Sequence, residues 1–346
     1  MIGKAPAVAN PGQFFVITGG TQHPGAEIET TVFDVLRHHQ PLIGEHAVQA
    51  AHRHAAFRGD PLRTQGFRLD MVVNQGEHVL ELALFARHDG FALQSGFPMG
   101  PLELTDLIGQ DVNFAVTCSV FNAFWQERRF LPSLLQQELV LAGRLGKKRG
   151  KGVYDWQADK PQVTWLAAPD DSYRPMRVER KGDGVTEIDE LLLVETRGET
   201  AQALARRLNR PVVVVDHSAG DVVAIATAAS NPHAATQKAL FWLQQQGKRV
   251  VEIADYPGLL VWRTLAMIVN EALDALQKGV AREKDIDTAM RLGVNYPCGP
   301  IAWGERLGWQ RLLVLLENLQ RHYGEERYRP CSLLRQRALL ESSYES

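Results

Sequence analysis

The chain has 346 residues, 45% of them hydrophobic, and a formal net charge of -2. That length and composition describe a soluble globular protein with more than one hydrophobic core. The interspersed charges exclude a basic field for nucleic acid, and no apolar run reaches the roughly 20 residues that span a bilayer. No basic region leads into an apolar stretch with a small-residue cleavage site at the start of the chain, so a cytoplasmic protein is expected. Cys118, Cys298 and Cys331 are odd in number and far apart, which reads as buried thiols and not as a disulfide framework or zinc site.

Residues 1–95 carry weak signals. Gln13–Thr18 reads as a strand, Gly19-Gly20 as a turn, Ile28–His38 as a short helix and Met71–Phe91 as an apolar helix. Gly19-Gly20 followed by Gly25 does not match the G-x-G-x-x-G of a dinucleotide fold. Among His38, His39, His46, His52 and His54, the last two are two apart and so on different helix faces, and no metal site is expected. Eight of the eleven histidines lie at or before His88, every Trp, Tyr and Cys lies after residue 117, and no lysine lies between Lys4 and Lys147. The break points to a truncated or frame-shifted gene, with this segment translated from a sequence that never encoded a domain of the protein; an unrelated N-terminal extension is the alternative.

Residues 96–158 read as a helical unit. Pro98-Met99-Gly100-Pro101 makes a tight turn with proline at the first helical position. Asp111 is the expected N-cap of a helix with Val112, Ala115, Val116, Val120, Ala123 and Phe124 on its apolar face. A second helix follows Pro132 and is broken by Gly143 and Gly146. Lys147 to Lys151, KKRGK, is a basic exit, either a solvated loop or a contact for a phosphate-bearing ligand. Residues 159–187, rich in Pro, Asp and Gly, read as a linker.

Strands and helices alternate over residues 188–255: Leu191–Thr196, helix Glu199–Leu208, Pro211–Val215, Val222–Thr227, helix Ala234–Gln246 capped by Asn231-Pro232, and Arg249–Ile253. Asp216 ends a strand where a ribose-binding carboxylate would stand. Arg197-Gly198-Glu199, however, offers one glycine where three are needed and a glutamate where a pyrophosphate would lie. A small structural layer without a cofactor is expected. Residues 256–346 read as a second helical unit, with an apolar stripe over Leu265–Leu276 ended by Gly279, a helix through Ile286, Ala289 and Met290, and a third over Trp309–Tyr323.

The two helical units repeat. Pro98, Gly100 and Pro101 return as Pro297, Gly299 and Pro300, Gly109 as Gly308, Arg128 as Arg327, and Leu134-Leu135 as Leu333-Leu334, each at an offset of 199. A period this long indicates a duplicated domain.

The runs GFPMGPLELTDLIG and GRLGKKRGKGVYDW, with P-G-x-x-x-x-R at Pro257–Arg263, N-E-A-x-x-A-L at Asn270–Leu276 and D-I-D-x-A-M-R-L-G at Asp285–Gly293, resemble the 3-hydroxyacyl-CoA dehydrogenase family. Residues 96–346 look like the C-terminal half of its bacterial phenylacetate-pathway branch, which oxidises 3-hydroxyadipyl-CoA or 3-hydroxybutyryl-CoA with NAD. The resemblance implies a mainly α fold: two helical domains like the C-terminal domain of 6-phosphogluconate dehydrogenase, the first truncated, around a small degenerate Rossmann-like α/β domain. It also implies an acyl-CoA substrate and a homodimer through the helical domains. Motif positions on the substrate side are then Pro98, Gly100, Pro101, Asp106, Lys147, Lys148, Pro257, Gly258, Arg263, Pro297, Gly299 and Pro300. In the family a His/Glu pair on the nucleotide-binding domain takes the hydroxyl proton. Residues 1–95 show neither that pair nor the glycine-rich loop, so no catalytic or NAD-binding residue is expected and the chain alone is expected to be inactive. The family asparagine before the arginine is Trp262 here, which marks the second unit as a structural duplicate.

Overall fold

The computed structural model describes residues 95–158 and 163–344. The strand expected at 13–18, the helices at 28–38 and 71–91, and the histidines from 38 to 54 lie outside these residues. The first helical unit holds α1 (Pro101–Ile108), α2 (Gln110–Ala123), a 3-10 turn at Arg128–Phe130 and α3 (Leu134–Leu141). Pro101 opens α1 after an extended Gly100. Gly109, at φ 112°, then turns the chain directly into α2 and takes the N-cap position expected for Asp111. Asp111 sits one residue inside the helix, where its charge meets the positive end of the dipole and the Lys148 ammonium at 2.8 Å.

A mixed sheet of six strands follows, in spatial order β1 to β6: Val178–Gly182, Val185–Ile188, Leu191–Glu195, Val212–Val215, Val222–Thr227 and Arg249–Glu252. β1 and β2 form a hairpin inside the segment that reads as a linker. Its turn is Asp183-Gly184, with φ of 49° and 72°, as the favoured two-residue hairpin turn requires. The sequence conceals it because VERKG is polar on both faces. β3 and β4 are parallel, as are β5 and β6, with antiparallel pairing between.

Helix α4 (Ala201–Leu208) crosses from β3 to β4, and α5 (His233–Gln245) from β5 to β6. They cover opposite faces. Leu204 and Ala205 pack with Val194, Val212 and Val214, whereas Ala235, Ala239 and Leu243 pack with Leu193, Val213 and Ile225. The alternating valines of β4 thus feed two cores. Thr200 caps α4 by accepting from the Ala203 amide at 3.1 Å. Asn231 does not cap α5; its amide side chain closes onto the Val212 backbone, accepting at 3.0 Å and donating at 2.8 Å.

The second helical unit holds α6 (Val261–Gln277), α7 (Glu283–Gly293), α8 (Pro300–Leu307), α9 (Trp309–Tyr323), a 3-10 turn at Glu326–Tyr328 and α10 (Ser332–Tyr344). The repeat is visible in the backbone. Gly100 and Gly299 share φ/ψ of -68°/150° and -69°/144°, and Gly109 and Gly308 share 112°/129° and 92°/124°. The units touch: Phe97 packs edge-on against Tyr296 at 5.1 Å, Arg129 pairs with Glu271 at 2.8 Å, and Glu127 with Arg329 at 3.0 Å. Burial pushes the Glu271 carboxyl up, and the Arg129 guanidinium works against that.

Candidate functional site

Asp106 is the centre of the first unit. Its carboxylate is fully buried and accepts from the amides of Val153 and Tyr154, both at 2.9 Å, from the Trp156 indole at 3.0 Å and from Gln110 Nε2 at 2.7 Å. A Cβ on Gly146 would strike the Asp106 backbone, and one on Gly152 its carboxyl. Gly146 and Gly152 of GRLGKKRGKG therefore let the loop close over a charge. Lys147 stacks on the Trp156 ring at 5.4 Å, and Lys148 holds Asp111. Of the two readings of the basic exit, these contacts favour a loop fastened to its own unit, leaving only surface ion pairs that an incoming phosphate could exchange.

The segment leading into the first proline corner touches the second corner. A Cβ on Gly96, two residues ahead of Pro98, would lie 4.0 Å from Pro297, beside the Phe97–Tyr296 contact. Pro297 and Gly299 also line an open cleft of about 540 Å³ between α7 and α8, with Glu283, Asp287, Arg291 and Glu305. Pro257, Gly258 and Arg263 lie apart from both corners, inside the second unit. Arg263 donates to the Pro257 carbonyl at 2.8 Å and to the Tyr323 hydroxyl at 2.7 Å, and its guanidinium stands 5.1 Å from the Tyr256 and Tyr323 ring centres. Gly258 leaves room for Leu319. This arginine fastens the turn that launches α6.

The α/β layer is where a dinucleotide would be tested, at the carboxyl ends of β3 and β4. The first turn of α4, the place for a pyrophosphate, is filled by Asp255, which accepts from the amides of Ala201 at 2.6 Å and Gln202 at 2.8 Å. Gly198 packs against α9, and a Cβ there would lie 2.6 Å from the Leu315 carbonyl oxygen. Asp216 is turned away from any ribose position; it accepts from the amides of Leu260, Val261 and Trp262 at 2.9, 2.8 and 3.0 Å and caps α6. Burial pushes both carboxyls up, and the amide hydrogen bonds oppose it. A phosphate arriving at α4 would meet a carboxylate already in its seat. NAD does not fit this layer.

Beside Asp216 stands a cluster that sequence reasoning did not single out. Glu195 accepts from the Trp262 indole at 2.8 Å, pairs with Arg311 of α9, and lies 3.7 Å from His217 Nδ1. Burial works to raise its carboxyl, but the His217 hydrogen bond, the Arg311 charge and the indole outweigh burial and hold it below the usual range. Trp262, at the position of the family asparagine, thereby joins the α/β layer to the second unit. The available signal for the Asp255 cap was its place just ahead of Pro257-Gly258; nothing in the sequence announced that Arg311 would reach Glu195. Among the described residues no group of three or more His, Cys, Asp and Glu could hold a metal ion, and no helix is long and apolar enough to cross a membrane.

Two helical units around a six-stranded mixed sheet define the fold, and the family comparison makes its class specific. Residues 88–156 and 258–343 match the 3-hydroxyacyl-CoA dehydrogenase C-terminal domain, and residues 193–257 match the reduced Rossmann-fold domain of 3-hydroxybutyryl-CoA dehydrogenase. The chain belongs to the 3-hydroxyacyl-CoA dehydrogenase C-terminal-domain family. It is 77% identical over 252 residues to 3-hydroxyadipyl-CoA dehydrogenase of Escherichia coli, covering 73% of this chain and 53% of that protein. A probable 3-hydroxybutyryl-CoA dehydrogenase of Bacillus subtilis is 40% identical over 92 residues, 27% of this chain and 32% of the relative. The crystal structure of an E. coli 3-hydroxybutyryl-CoA dehydrogenase matches with a TM-score of 0.74 and 74% identity, over 76% of this chain and 56% of that one. The chain spans about half the length of its E. coli relative.

Proposed function

We propose that this chain is the substrate-side and assembly half of an NAD-dependent 3-hydroxyacyl-CoA dehydrogenase of the phenylacetate pathway, and that it performs no hydride transfer by itself. The observation that carries this is the 77% identity to a 3-hydroxyadipyl-CoA dehydrogenase over 252 residues. The carboxylate seats described above support the second clause, because the one nucleotide-like layer among the described residues is committed to its own helix ends. The domain arrangement we assign is a truncated helical domain at 96–158, a segment at 159–187 read as a linker, whose end carries the hairpin that extends the sheet, a degenerate α/β domain at 188–255 and a complete helical domain at 256–346. The corner, lysine and arginine positions named above are assigned to the substrate side as framework, with acyl-CoA as the ligand. The free thiols of Cys118, Cys298 and Cys331 fit a cytoplasmic location.

NAD titration and an assay for NADH formation from 3-hydroxybutyryl-CoA test this reading. We expect neither binding nor turnover by the chain alone; a measurable Kd for NAD with NADH production overturns it. The exposed apolar side chains of the first unit favour a second reading, a non-catalytic scaffold that binds acyl-CoA or self-associates as a homodimer through its helical units. Light scattering over a concentration series tests the self-association, and a monomer at every concentration removes it.

A further inference from the structure

The two helical units meet at matching residues. Phe97 and Tyr296 are counterparts at the repeat offset of 199, and their ring centres lie 5.1 Å apart. Glu127 and Glu326 are counterparts too, and one guanidinium joins them: Arg329 pairs with Glu127 at 3.0 Å and with Glu326 at 3.1 Å. Beside them the 3-10 turn at Arg128–Phe130 touches the 3-10 turn at Glu326–Tyr328, its own copy. These two places are well separated in the chain, one ahead of the Pro-Gly-Pro corner and the other beyond the second helix of the unit.

Geometry restricts how this arises. Were the second copy shifted from the first as in a stack of repeats, every residue would stand a full unit away from its counterpart. Counterparts touch only where a rotation axis passes between the copies, and two touching places fix its line. With two copies that is the arrangement of an isologous dimer, in which the same patch serves on both sides. Here both sides belong to one chain. At one end of the patch Phe97, Tyr296 and Trp303 form an aromatic trio with ring centres 5.1 to 5.9 Å apart. At the other, Arg129 is 8% exposed and reaches Glu271 at 2.8 Å, and the Lys278 ammonium stands 5.8 Å from the Phe124 ring centre.

We infer that this patch of the second unit is a docking face for a helical unit of the same kind, and that the chain's own first unit occupies it. One chain thereby holds within itself the contact that two copies would otherwise make. A second copy gains this face only by exchanging its first unit for the resident one, and charges that match across the face in one chain match equally well across two. The inference does not rest on the proposed function. It narrows the second reading, because a homodimer of the wild-type chain then has to use a different surface.

Charge exchange between Arg129 and Glu271 tests it on the full chain. Arg129→Glu sets two carboxylates against each other and Glu271→Arg two guanidiniums, while the double variant restores an opposed pair with its sign reversed. We expect each single variant to melt about 5 °C or more below wild type and the double variant to recover most of that loss. Unfolded together in urea and refolded, the two single variants should give a species of twice the wild-type mass that contains both, read by light scattering and mass spectrometry, because the first unit of each matches the second unit of the other. Wild type and the double variant, refolded in the same way, should give no such doubling. Single variants that do not combine, or a double variant no more stable than either single one, overturn the inference. So does a wild-type homodimer that Phe97→Asp dissolves, because the face would then be filled from a second copy.

Discussion

The two helical units start from the same corner and are stabilised in opposite ways. The second is built around an apolar helix: Trp262, Leu265, Leu273, Leu312, Leu315, Leu316 and Leu319 are all nearly or wholly buried. The first is built around an ion: Asp106 gathers two backbone amides, an indole and a carboxamide, and in its helices only Leu139 is buried among the apolar side chains. Among the described residues this unit buries few apolar side chains, and its order comes from satisfying one desolvated carboxylate. The same sequence pattern therefore specifies the same backbone turns with different sources of stability.

The sharpest way to break this comparison is a matched pair of truncations. Leu315→Ala should cost about 3 kcal/mol in urea unfolding, whereas Val116→Ala at the equivalent place in the first unit should cost about 0.5 kcal/mol or less. Equal losses would mean that the first unit has a core of its own. Asp106→Asn should then release residues 146–157, at a cost of about 2 kcal/mol, because an amide cannot accept as many of the surrounding N–H groups. Limited proteolysis at Lys147 to Lys151 reads this directly. Cleavage at the wild-type rate would remove the carboxylate from the centre of the argument.

The corners give a pair of smaller effects. Asp287 of α7 accepts from the amides of Ile301 at 2.7 Å and Ala302 at 3.1 Å, and a Cβ on Gly299 would overlap its carboxyl. Gly299→Ala displaces Asp287 from the end of α8 and should cost about 1 kcal/mol, while Gly100→Ala should be neutral, no described atom lying within 4 Å of its added Cβ. Both glycines have ordinary negative φ, so the difference isolates the space around them from backbone strain. The last test concerns the joint between the α/β layer and the second unit. Glu195→Gln should destabilise by about 1 kcal/mol at pH 7. Because Glu195 is held below its ordinary value of 4.5, its contribution is fully present above that pH and is lost as pH falls through the lower folded value. The gap between variant and wild type, followed by thermal melts, should close on acidification and not on raising the pH.

Much of this was legible in the sequence because it is written in periodicity and punctuation. Trp309–Tyr323, the β4 valines, the Pro-Gly-Pro corners and the offset of 199 all gave the elements now observed, since local spacing and proline or glycine chemistry decide them. The β1–β2 hairpin was not legible, its strands being polar on both faces and readable only from the Asp-Gly pair. Long-range carboxylate contacts were equally silent. Asp216 sits 44 residues from the amide it caps at Leu260, and Asp255 sits 54 from that of Ala201. An acidic residue at a strand end looks the same in sequence whether it faces a ribose or a helix, and only the packing of α6 against the sheet chooses between them.

The Asp255 carboxylate has a further consequence. A dissolved nucleotide steadies a helix end only while its concentration exceeds its dissociation constant, and the fold it supports then varies with supply. A carboxylate on the same backbone is never diluted. The first turn of α4 is for that reason fastened by the chain itself, whatever nucleotide is in solution.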